Sequence, residues 1–212
     1  MKDIPMFTTP YGIASLSLGE IPYRQTAYIC VRSVADDALE DLISECAQFC
    51  RAAGAERIFW TAENMEREPQ CVIYEMRGTA WVDRAKLESL FPVTDATVKR
   101  WREVYNERMA EVDHVATLSA FDEKRIVQSG GAYFVHHEGS LLGIGWLEDT
   151  KLLAIAAAEK GTGDRVAHTL MSLVEGATMT MEVASTNERA IRLYERLGFL
   201  RTSEVTRWYR VI

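Results

Sequence analysis

Four absences narrow the reading of this 212-residue chain before any motif is considered. No secretory leader is expected, because MKDIPMFTTP carries Asp3 and two prolines and has no continuous apolar core. No membrane partner is expected either: the longest purely aliphatic run, LLAIAAA at 152–158, is far short of the roughly 18 residues a spanning helix needs. Cysteines are few and lack paired spacing. Cys30, Cys46, Cys50 and Cys71 form no C-x-x-C and have no accompanying histidine pattern, so they read as small buried residues and no metal site is expected. A basic face is missing too. The net charge of −7 divides into −5 up to Val93 and −2 after it, which argues against a nucleic-acid partner and leaves a cationic amine or basic peptide electrostatically tolerable. What remains is ordinary globular material, 48% hydrophobic and 26% charged, enough for one large domain or two small ones. A cytoplasmic protein is the expectation.

The C-terminal half has the clearer periodicities. After the FPVTD turn, with Thr94 or Asp95 as cap, TVKRWREVYNERMAEV repeats Val98, Trp101, Tyr105, Met109 and Val112 at helical spacing. A shorter helix around SAFDEKRIVQ stops at Gly130-Gly131, and AYFVHHEGSLLGIGWL reads as two extended segments turning at Glu138-Gly139. The run at 152–158 is a buried strand that leaves through a GTG loop into the helix DRVAHTLMSLVEG, with Gly176 as its stop. In TMTMEVAS, Met179, Met181 and Val183 alternate with Thr178, Thr180 and Glu182, as in a strand. Ser185 and Glu188 then have the spacing of a capping box, and Gly198 closes the next helix with Phe199 folding back on it. FLRTSEVTRWYRVI is a final extended segment of one or two strands.

The N-terminal half repeats this order more faintly. GIASLSLGE and TAYICVRSV read as strands, LEDLISECAQFCRAAGA as an amphipathic helix, and RIFWTA and CVIYEMRGT as further strands. Strand, helix, strand recurs, which leaves an internal duplication open. The sequence suggests a boundary after Val93, with residues 1–93 as a smaller α/β domain and residues 94–212 as a second.

The glycine-rich exit from 152–158 is the first candidate site. A strand that ends in EKGTGDR and feeds a helix turns unpaired N–H groups and the positive helix end toward a ligand, which suits a phosphate. The loop is neither G-x-G-x-x-G nor a Walker loop, and a plain turn also accounts for it. Downstream, EVASTNERAIRLYERLGF at 182–199 carries Glu182, Asn187 and Tyr194, which a helix capped by Ser185 and Glu188 does not need. Asn187 and Tyr194 are two helical turns apart and can face one groove.

The pattern Glu-Val-x-x-x-Asn-x-x-Ala-x-x-x-Tyr-x-x-x-Gly-Phe, one helix and one strand after the GTG loop, resembles the acetyl-CoA-binding part of the GNAT superfamily of N-acetyltransferases. The resemblance extends from residue 95 to the end of the sequence. It implies an α/β fold with a mixed, mostly antiparallel sheet flanked by helices. It also implies transfer of an acetyl group from acetyl-CoA, as cosubstrate, to a primary amine of a small molecule or peptide by direct attack in a ternary complex. The backbone of Ile155, Ala156, Ala157 and Ala158 would pair with the pantetheine arm, on a strand splayed from its neighbour. The amides of Gly161, Thr162, Gly163, Asp164 and Arg165 would hold the pyrophosphate, Asn187 would touch the cofactor and Tyr194 would be the general acid. Glu182 precedes Tyr194 at a spacing also found in the ribosomal-protein alanine acetyltransferases, where this glutamate serves as base. One position departs from the family: Ala158 stands where Gln or Arg is usual, with Glu159 after it, and Lys160 and Arg165 would have to offset the loss. A homodimer is left open.

The chemistry makes its own demands. An alkylamine with a pKa of ~10 is almost wholly protonated at neutral pH, so a base, direct or through water, is useful. Donors for the developing oxyanion and an acid for the leaving thiolate are needed as well. Each residue also has a plain structural role. Tyr194 can pack on the helix's buried face, Glu182 can be a solvated strand residue, and Asn187 can be a helix cap. His136 and His137, beside the hairpin turn, read as solvated, and Trp101 and Tyr105 as core. Without the chemistry, the chain is a catalytically silent acyl-CoA-binding regulatory module; without CoA, it is another phosphate-binding α/β domain. In the N-terminal half, Asp36 and Asp37 put negative charge where a phosphate would sit. A second GNAT-like unit there would have lost cofactor binding and would serve the acceptor pocket.

Overall fold

The computed structural model describes residues 3–63 and 65–211, and the chain divides into two compact units, Met1–Val72 with Thr206–Ile212, and Ile73–Val205. In the first unit, β1 (Ile4–Thr9), β2 (Gly12–Ser17) and β3 (Thr26–Val34) form an antiparallel meander, with the single helical turn α1 (Ile21–Arg24) before β3. The helix α2 (Leu39–Ala52) then crosses to β4 (Arg57–Thr61), which pairs parallel to β3 without a break from Thr26↔Arg57 to Cys30↔Thr61. Leu42, Ile43, Cys46, Ala47 and Cys50 recur at three- and four-residue spacing on α2, and all are buried in a core with Leu16, Ile29 and Trp60. Burial pushes the Cys46 and Cys50 thiols up to about 11, so both stay protonated and pack as small apolar side chains. The end of the last strand, β11 (Leu200–Arg210), pairs with β4 through Tyr209↔Trp60, whose rings stack 4.6 Å apart.

In the second unit the strand order is β5 (Cys71–Thr79), β10 (Thr178–Ala184), β9 (Lys151–Ala157), β8 (Ser140–Glu148), β7 (Ala132–His137) and β6 (Ser89–Pro92). All neighbours are antiparallel except β9 and β10. This is the mixed, mostly antiparallel sheet flanked by helices that the resemblance implies. α3 (Val98–Met109) and α4 (Glu123–Ser129) cover one face, α5 (Gly163–Met171) and α6 (Glu188–Arg196) the other. Strand alternation decides which side chains meet which helices. Met179, Met181 and Val183 of β10 pack with Leu170 of α5 and Ile191 of α6, while Ala154 and Ala156 of β9 pack with Trp101 of α3. The GIG of β8 has a packing reason: a Cβ on Gly145 would meet Leu170 Cδ1 at 2.2 Å, so α5 lies flush on the sheet.

The hairpin turn falls at Glu138 and Gly139, both with positive φ, and Gly130, Gly176 and Gly198 are left-handed where helices or turns end. Other features shift from expectation. α3 begins beyond Thr94 and Asp95 because Thr94 and Thr97 first close a turn, Thr97 N–H to Thr94 carbonyl at 2.9 Å, and Thr97 takes the N-cap position. The final extended segment is one strand, LRTSEVTRWYR. β1 and β6 are short edge strands with little pattern of their own. β5 pairs with β10 from Ile73↔Ala184 to Thr79↔Thr178, and β6 with β7, which places residues 73–93 in the second compact unit.

Candidate functional site

β9 and β10 are paired only at their starts, Lys151↔Thr180 and Leu152↔Met181; beyond these the strands part, and Ile155, Ala156 and Ala157 keep partners on β8 alone. A register shift in the β8 and β9 ladder, between Trp146↔Ala154 and Leu147↔Leu152, leaves Leu153 as an extra residue where the strands separate. The opening widens into a groove of about 610 Å³ bounded by the end of α3, the start of α5 and one face of α6.

The loop between β9 and α5 is pinned from behind. Ala158 N–H donates to the Leu142 carbonyl at 2.7 Å, and Thr162 Oγ1 donates to the carbonyls of Leu142 at 3.0 Å and Glu159 at 2.9 Å. Gly161 makes the left-handed turn this path requires, with φ 96. Thr162 is the N-cap residue, yet with its hydroxyl so engaged α5 has no side-chain cap. The first amides of α5 therefore stand at the groove with the positive end of the helix behind them.

Of the expected cofactor-binding residues, Ile155, Ala156, Ala157, Gly161, Gly163, Asp164 and Asn187 line the groove, and Tyr194 joins them from α6. Ala158, Thr162 and Arg165 lie behind the lining. Arg165 turns away to form an ion pair with Glu88 and to approach His137 Nδ1 at 3.1 Å, so its charge is not free to offset Ala158. Asp164 is held by Lys86 Nζ at 2.6 Å.

Tyr194 is buried, its ring edge-on to Phe199. Burial pushes the phenol well above its ordinary value, which keeps the hydroxyl protonated. Asn187 is the N-cap of α6: its Oδ1 accepts from Ala190 N–H at 3.2 Å. The expected capping box of Ser185 and Glu188 is replaced by this arrangement. Asn187 N–H bonds to the Ala184 carbonyl, which keeps the chain turning for two more residues, and Glu188 instead pairs with Arg192 at 2.8 Å. Asn187→Ala should cost about 1 kcal/mol, a fall of roughly 2–4 °C in Tm for a chain of this size, read by thermal melting.

Glu182 does not join the lining. It points to the sheet face opposite Met181 and Val183, where its carboxylate meets Lys151 Nζ at 2.6 Å. Residues not anticipated do contribute. The end of α3 supplies Glu107 and Met109, and α6 adds Arg189 and Arg196. Lys160, Arg189 and Arg196 carry no ion pair among the described residues and offer positive charge to the groove. The seven-residue interval of Arg189 and Arg196, equal to that of Asn187 and Tyr194, was the available signal. No group of His, Cys, Asp or Glu able to hold a metal occurs among the described residues, and no helix among them is long and apolar enough to cross a membrane.

Residues 149–209 match the family described as FR47-like protein. No curated protein matches the chain by sequence. Among solved structures, a GCN5-related N-acetyltransferase from Anabaena variabilis is similar at TM-score 0.60 and 13% identity, over 93% of this chain and 58% of that one. A functionally unknown conserved protein from Staphylococcus epidermidis is similar at 0.56 and 12%, over 97% and 92% of the two chains. A GCN5-related N-acetyltransferase from Sphaerobacter thermophilus is similar at 0.51 and 10%, over 93% and 75%. The chain thus has the GNAT fold, with an FR47-like C-terminal segment.

Proposed function

We propose that this protein transfers an acetyl group from acetyl-CoA to a primary amine by direct attack in a ternary complex. One observation carries the reading: the parted strands β9 and β10, the uncapped start of α5 and the protonated Tyr194 all border one groove. The residues suit CoA chemically. A diphosphate accepts from the amides of residues 163–165, an amide-bearing arm can pair with the free edge of β9, and Lys160 and Arg189 add charge. Acetyl-CoA, when bound, supplies a thioester with a good leaving thiolate. Tyr194 gives its proton to the departing sulfur, and backbone amides at the parting of β9 and β10 face the carbonyl oxygen as it gains charge. Glu182 is the proposed acceptor of the amine proton; because it lies outside the groove lining, water carries the proton to it.

The position of Glu182, paired with Lys151, and the alanine at 158 favour a second reading, a catalytically silent acyl-CoA-binding module. Thiol release from acetyl-CoA across a panel of amines, amino acids and basic peptides separates the two. A rise in rate with one amine class is expected. CoA binding without thiol release under any condition would establish the silent module, and a preference for nucleotides over CoA in a thermal-shift comparison would sink both readings. The first unit repeats the order β3, α2, β4, but its parallel strands stay paired along the whole of β4 and Asp37 stands in the intervening loop. We infer that it binds no CoA.

A further inference from the structure

The first turn of α5 is held from outside the groove by one buried carboxylate. Glu88, just before β6, has a side chain only 5% exposed. Its Oε2 lies 2.9 Å from His137 Nδ1 of β7, and Oε1 is ion-paired with the Arg165 guanidinium without a well-angled hydrogen bond. The same segment grips α5 at three further points. Glu88 N–H donates to Thr169 Oγ1 at 3.1 Å, Asp83 N–H donates to His168 Nδ1 at 3.3 Å, and Lys86 meets Asp164 at 2.6 Å. Gly163 and Asp164 line the groove and Arg165 follows them in the same turn, yet Asp164 and Arg165 both send their side chains out to this segment.

We propose that Glu88 is a positioning residue for phosphate binding, acting through Arg165 to fix the amides of residues 163–165. A carboxylate taken this far out of water is costly unless paired. Its burial is therefore tied to one placement of Arg165, and Arg165 is part of the turn whose N–H groups face the groove. A turn free to shift loses the alignment of its N–H donors with the ligand, and a hydrogen bond weakens steeply as that alignment is lost. The guanidinium is thereby withdrawn from direct contact with the ligand and serves as a tether.

This inference rests on the acyl-CoA reading, and the test separates the two. CoA affinity is measured by calorimetry and S-acetylpantetheine affinity by NMR titration. Glu88→Gln, which keeps the shape and removes the charge, should weaken CoA by about tenfold, as for the loss of one hydrogen bond to a charged group, and leave S-acetylpantetheine, which has no diphosphate, unchanged. Arg84→Ala, on the same segment but ion-paired outward with Glu175, should leave both unchanged. Equal weakening of both ligands, or no change in CoA affinity, overturns the positioning role. No CoA binding by the unsubstituted protein overturns the acyl-CoA reading itself. If Glu88→Gln does not fold, Arg165→Lys, which keeps the charge but not the fork, carries the same comparison and should show part of the selective loss.

Discussion

Replacing Gly163 by aspartate is expected to abolish useful CoA binding while leaving the protein as stable as before. A Cβ at Gly163 meets only Leu193 Cδ2 at 3.5 Å and Ala157 Cβ at 4.0 Å, both ordinary contacts with groove residues. The new carboxylate is therefore accommodated, and it enters the groove. A negative charge in a first helical turn is favourable by a few tenths to about 1 kcal/mol, so Tm should hold or rise slightly. For a bound diphosphate the sign reverses. Each ligand charge roughly 4 Å from the carboxylate is repelled by about 1 kcal/mol in water and about 4 kcal/mol near a protein surface. Two such charges give about 2–8 kcal/mol, a loss of at least about thirtyfold. Calorimetric titration with CoA, beside a melting curve, reads both quantities. Intact affinity would remove the start of α5 from the binding site.

Tyr194→Phe should have the opposite profile, with normal binding and slow turnover. The ring packs against Phe199, whereas its hydroxyl has no hydrogen-bond partner among the described residues, so the phenylalanine keeps the packing and loses only the proton. Removing a general acid costs typically 10²–10⁴-fold, and about a hundredfold fall in kcat is expected here. Burial sets the pH dependence. Because the phenol is raised above its usual value near ~10, loss of its proton cannot produce an alkaline fall in rate at or below that pH. An alkaline limb at lower pH would belong to another group. Unchanged kcat in the variant would end the assignment of Tyr194 as acid.

Much of the second unit was legible in the sequence, because its signals are local. The alternation of Met179, Met181 and Val183, the glycine at 198 and the two-turn interval from Asn187 to Tyr194 each involve neighbours in the chain, and each survives in the fold. What was not legible depended on partners distant in sequence. Nothing near Glu182 announces Lys151, nothing near Arg165 announces Glu88, and both ion pairs redirect side chains that local spacing would aim at the ligand. The pairing of residues 73–79 was illegible for the same reason, since β5 finds its partner only when β10 is made. The capping of α6 was ambiguous locally: Ser185 and Asn187 are both good N-caps, and the extra turn after Ala184 decides between them.

The parting of β9 and β10 has a consequence for which changes the site tolerates. On the proposed reading, the ligand's amide arm occupies the place of an absent strand and is met by peptide groups that every residue type possesses. Recognition of that kind is blind to side chains, which can be as plain as the alanines at 156 and 157. On that reading the path of the backbone matters and the identity of the side chains along it does not. Substitutions along 155–157 that keep the strand are then expected to leave binding intact, whereas a proline there, which takes away a backbone N–H, is not.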